Sequence, residues 1–129
     1  MEFEGINVQY IFNQAGVAFF TLHAYPAYKI ENGKLQEDSS ATAQALQEKA
    51  RNAHELLESS AKRIKKNKRV PNTWRATIED ALSLALAAKD LRMVSSEWVD
   101  HLERAIRFLK QYTPKEEAIS DSKTLAESA

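Results

Sequence analysis

The 129-residue chain predicts an all-α fold, a four-helix, bundle-like single domain, and three observations carry that expectation. Apolar residues recur at spacings of three and four in four separate segments, the periodicity of helices with one buried face. Glycine and proline occur only three times each, too few for the many tight turns of a sheet protein of this size. With 43% hydrophobic and 28% charged residues, the composition is that of a globular domain long enough to bury a core.

The first helix is expected from about Asn7 to Ala24. Val8, Ile11, Phe12, Ala15, Ala18, Phe19 and Leu22 share its core face. Tyr10, Val17 and Phe20 lie off that stripe, an apolar surface that one small bundle does not fully bury. No Asp, Glu, Lys or Arg occurs between Gly5 and Tyr28. Even so, Asn7, Gln9, Asn13, Gln14 and His23 break the run, and a membrane span needs about 20 mostly apolar residues. Tyr25-Pro26 ends the helix, because the residue before proline is pushed out of the helical region.

A hairpin-like connector follows, with Asn32-Gly33 between the triplets Lys29–Glu31 and Lys34–Gln36. Asn-Gly supplies the positive φ angles of a type I′ turn. The second helix spans about Ala41 to Lys66, capped by Ser39 or Ser40, with Leu46, Ala50, Ala53, Leu57, Ala61 and Ile64 inward. It ends in a basic run closed by Pro71. The third helix, about Thr73 to Leu91, is capped by Asn72 or Thr73 and turns Trp74, Ile78, Ala81, Leu82 and Ala85 to the core. The fourth, about Glu97 to Tyr112, has Ser95 as cap and Val94 stapled on Val99. Its core stripe is Trp98, Leu102, Ala105, Ile106, Leu109 and Tyr112. Residues 1–113 thus form the domain. Residues 114–129, poor in large apolar side chains, form a frayed C-terminal tail, although Thr113-Pro114-Lys115-Glu116 has the order of a helix start.

Composition and motifs exclude most chemistry. Without cysteine there are no disulfides, thiolate zinc sites, iron–sulfur clusters or cysteine nucleophiles. The acidic start Met1-Glu2-Phe3-Glu4 is unlike a signal peptide, and a cytoplasmic protein is expected. The inward Glu-x-x-His pairs of di-iron bundles are absent. His54 with Glu58 and Glu97 with His101 stand at i,i+4, as exposed helix pairs do. Arg51 and His54 have two residues between them, short of the spacing that helical HEPN ribonucleases use. No phosphate loop, nucleophile motif or acidic cluster is present. No catalytic residue, metal or cofactor is therefore expected. Trp74 and Trp98, each near a helix start, read as core anchors.

The charge is neutral overall, with 18 basic and 18 acidic residues, yet unevenly spread. Residues 41–69 carry eight basic and three acidic groups, and residues 1–40 carry two and five. The run Lys62, Arg63, Lys65, Lys66, Lys68, Arg69 places six basic residues within eight positions. One or two cations complement a helix C-terminus. Six exceed that need and suit sequence-independent phosphate contact. Arg104, Arg107 and Lys110 form a second, weaker basic set, opposite the Leu102–Ile106–Leu109 stripe. There, Asp100 and Glu103 stand at i,i+4 from Arg104 and Arg107, the spacing of solvated helix faces.

Size, all-helical order, missing catalytic groups and the basic helix end together resemble the small α-helical subunit of CRISPR effector (Cascade-type) complexes, over about residues 7–113. The resemblance implies a non-catalytic subunit that lines a ribonucleoprotein filament in two or more copies. It also implies contact with the RNA or DNA backbone and help in holding the target, with larger protein subunits or further copies of the chain as partners. The alternative from the residues alone is a helical protein-interaction module without nucleic acid, using the α-helical surface around Tyr10, Val17 and Phe20. A helical nuclease ranks third.

Overall fold

A computed structural model describes residues 1–24, 28–37 and 40–114. Two short hairpins and four helices follow one another: β1 (Glu2–Phe3), β2 (Ile6–Asn7), α1 (Val8–Ala24), β3 (Tyr28–Glu31), β4 (Lys34–Glu37), α2 (Ala41–Lys65), α3 (Asn72–Asp90) and α4 (Ser96–Gln111). The fold is all-α and bundle-like. The expected frayed tail, residues 114–129, lies outside the described residues except for Pro114, which is buried.

The core is built around α1. Its predicted stripe is buried in full, with Ile11, Ala15, Ala18 and Phe19 at 0% exposure. The helix packs extensively on α2 and α4, and α3 closes the far side, touching α1 only marginally. Asn7 caps α1 by accepting the Tyr10 N–H at 3.2 Å on Oδ1. Three contacts run α1 and α2 antiparallel. The Gln9 side chain donates to the Ala61 carbonyl, the His23 carbonyl accepts from Gln47, and the Gly16 backbone lies against His54.

The Asn32-Gly33 turn is as expected, with φ of 54° and 72°, and pairs Glu31 with Lys34 and Ile30 with Leu35. A second hairpin was not expected. Glu4 and Gly5 adopt φ of 53° and 79° and pair Phe3 with Ile6 and Glu2 with Asn7. Glutamate seldom adopts positive φ, so the turn carries little signal.

That hairpin changes how α4 is buried. Phe108, outside the predicted stripe, is only 7% exposed. Phe3 and Phe12 each meet its ring edge-on, at 5.5 and 6.0 Å between centroids. Val99 and His101 are buried as well. One helix face was expected to be solvated, and the N-terminal strands and Tyr10 cover part of it.

The helix ends follow local chemistry. The Ser95 hydroxyl accepts the Glu97 N–H at 3.1 Å, and Val94 and Val99 are both buried, as a staple requires. The cap expected for α3 differs. Asn72 already lies within the helix, and Pro71 holds the preceding position at φ −57° and ψ 138° without a side-chain cap. The proline ring fixes the entry that a polar cap would otherwise set. Both α2 and α3 end in Schellman motifs, with Asn67 and Arg92 in the left-handed conformation at φ of 55° and 60°.

Within the core, the Ser60 hydroxyl is fully buried on α2 and makes no hydrogen bond. Burying an unsatisfied hydroxyl costs free energy, and alanine also has the higher helix propensity. Ser60→Ala is therefore expected to stabilise the protein by about 1 kcal/mol in urea unfolding. A loss of stability would mean that the hydroxyl has a partner.

Candidate nucleic-acid interface

The two basic sets have different fates. In the second set, Arg107 donates to both carboxylate oxygens of Glu4, at 2.9 and 3.3 Å. Arg104 lies 3.8 Å from the same carboxylate and also contacts His101 Nδ1 at 3.4 Å. Lys110 reaches Glu79 on α3 at 3.3 Å, beside Arg75 at 2.9 Å. All three cations are engaged by carboxylates distant in sequence, and the expected i,i+4 pairs with Asp100 and Glu103 do not form. They hold the β1–β2 turn and α3 against α4.

The first set sits where α2 turns into α3. Lys62, Lys65, Lys66, Lys68 and Arg69 are exposed. Arg63 is half-buried and structural. Its guanidinium lies 5.0 Å from the centre of the Trp74 ring, and its Nη1 donates to the Arg69 carbonyl at 3.0 Å. Trp74 is therefore a platform for Arg63, whereas Trp98 packs against the core as expected.

The backbone of the turn is fixed at several points. Lys68 N–H donates to the Arg63 carbonyl at 2.8 Å, and Asn67 N–H to that of Ile64 at 3.0 Å. The Tyr112 hydroxyl, just past α4, donates to the Lys68 carbonyl at 2.9 Å. Val70 packs on the core. The exposed side chains thus project from a pre-formed turn. Among the described residues, no carboxylate pairs with Lys62, Lys65, Lys66 or Lys68. Such a cluster raises the local positive potential and favours a polyanion.

Lys62 and Lys65 also edge an open trough of about 440 Å³ between α1 and α2. Phe20, 53% exposed, lies in the same trough. Its ring meets those of His23 and His54 at 5.2 and 5.7 Å between centroids. This aromatic and histidine cluster was not singled out in the sequence, because its members fall on two helices and off the apolar stripe.

His54 Nε2 lies 2.9 Å from Glu58, and Arg51 pairs with Glu48, so Arg51 and His54 do not converge. His101 departs from the exposed pair expected of it. It is 4% exposed, lies 3.8 Å from Glu97, and packs edge-on against Tyr10. Among the described residues, no group of three or more His, Asp or Glu is placed to hold a metal, and no helix is long and apolar enough to cross a membrane. No family model matches the chain, and no curated protein or solved structure is significantly similar to it.

Burial of its ring lowers the pKa of His23 below the ordinary 6.5; His54 and then Arg51 push the same way, against the backbone hydrogen bond and Glu55. A histidine whose folded-state pKa is depressed takes up its proton at lower pH in the folded chain than in the unfolded one. Its contribution is fully present above the unfolded value and is lost progressively as pH falls from there through the lower folded-state value. The urea midpoint should therefore drop as pH is lowered through about 6.5, and His23→Gln should flatten that drop. An equal drop in the variant would assign the pH dependence to other groups.

Proposed function

We propose that the protein is a non-catalytic helical subunit that binds the phosphate backbone of RNA or DNA through the α2–α3 turn. The single observation that carries this reading is the cluster of exposed lysines, Lys62, Lys65, Lys66 and Lys68, at the end of α2 and on the pre-formed turn after it, where no carboxylate among the described residues pairs with them. A helix dipole is complemented by one or two cations, so the rest of the cluster is left without an internal role. Arg69 extends the same surface. Arg104, Arg107 and Lys110 are occupied by Glu4 and Glu79 and are not part of the proposed contact.

The assembly proposed is a CRISPR-type effector ribonucleoprotein, with this chain in the place of its small helical subunit, in the cytoplasm. The resemblance described above supplies that assignment. Larger protein subunits or further copies of the chain are then the neighbours. A second reading, a helical protein-interaction module without nucleic acid, is favoured by Tyr10 and Phe20, which are 45% and 53% exposed on α1.

A salt titration with RNA and DNA of scrambled sequence separates the two. Each phosphate contact contributes about −0.7 to the log–log salt slope for single strands and about −0.9 for duplex DNA. Replacing Lys65, Lys66, Lys68 and Arg69 together by glutamine should flatten the single-strand slope by close to three units. Affinity should fall severely and sequence preference should not change. Helicity should hold, because glutamine and lysine have similar propensity. Equal binding by parent and variant, or no binding by the parent, would leave the interaction module as the better account.

A further inference from the structure

The trough between α1 and α2 joins three features in one place. At one end lies the ring of Phe20, held edge-to-face by His23 and His54, with 53% of the residue open to solvent. At the other end stand Lys62 and Lys65, which no carboxylate neutralises among the described residues. Between them lie the side chain of Asn13 and the carboxylate of Glu58, which His54 Nε2 holds at 2.9 Å. The trough runs about 16 Å, the rise of α1 from Gln9 to Phe20 at about 1.5 Å per residue.

An exposed aromatic alone is ordinary on a protein surface. Here it shares a concave site with two unpaired cations, and aromatic faces beside a cationic track are how proteins hold single strands. The amide of Asn13 and the acceptor oxygens of Glu58 suit the edges of an unstacked base. We propose that this trough seats an unpaired nucleobase stacked on Phe20, in a single strand whose phosphates run along Lys62 and Lys65. The proposal rests on the phosphate-binding reading above and narrows its ligand to single-stranded nucleic acid. A duplex keeps its bases paired and stacked inside, so it engages only the lysines.

Fluorescence anisotropy with three labelled probes of equal length tests this: a scrambled single strand, an abasic strand and a duplex. Phe20→Ala, which removes an exposed ring and leaves the core intact, is expected to weaken single-strand binding about tenfold, a stacking contact of about 1.4 kcal/mol. Its binding to the abasic strand and the duplex should match the parent's, and its salt slope should not change. Phe20→Trp should retain the single-strand affinity. A parent that binds the abasic strand as tightly as the normal strand removes the stacked base and leaves the phosphate reading standing. The same holds if Phe20→Ala leaves single-strand binding intact. A parent that binds none of the three probes removes both readings.

Discussion

The structure depends on the burial of α1. Between Gly5 and Tyr28 the chain has no Asp, Glu, Lys or Arg, so α1 is held by apolar packing and a few hydrogen bonds. Its stripe lies on α2 on one side and α4 on the other. At about 25 cal/mol per Å² of apolar surface buried, such packing outweighs the surface ion pairs, typically under about 1 kcal/mol each. Phe19, Ile11 and Leu22 are among the largest fully buried side chains, and all three belong to α1.

An uncharged central helix decides where charge is spent. Several ion pairs among the described residues join the elements around α1, Lys49 to Asp80, Lys110 to Glu79, and Arg107 to Glu4, while others stay within one helix. Individually they contribute little, yet they use up the cations of α4. Among the described residues, Lys62, Lys65, Lys66 and Lys68 have no such carboxylate partners; Glu58, four residues before Lys62, pairs with His54. Two basic sets that look alike as strings of residues thus divide into one that closes the fold and one that faces outward.

Much of the fold was legible in the sequence. The four helices lie within a residue or two of their expected bounds, and the α1 stripe, the Asn32-Gly33 turn and the Ser95 cap follow from periodicity and turn chemistry. The β1–β2 hairpin was not legible, because Glu4 takes a positive φ that glutamate seldom adopts. Missing it concealed both the burial of Phe108 and the engagement of Arg104 and Arg107, since Phe3 and Glu4 reach α4 from the other end of the chain. The basic turn was visible as composition. That Arg63 is structural was not, because its partners, Trp74 and the Arg69 carbonyl, meet it only once the turn is folded. The Phe20–His23–His54 cluster was hidden for a similar reason, as its members come together across two helices.

Charge is divided between a set on α4 engaged by carboxylates and an outward-facing set at the α2–α3 turn. Amide chemical-shift mapping of the labelled protein during titration with a single-stranded oligonucleotide reads out that division residue by residue. Perturbations are expected to concentrate at residues 62–69 and along the adjoining trough, with Arg104, Arg107 and Lys110 little moved. Perturbations centred on α4, with the α2–α3 turn silent, would contradict it.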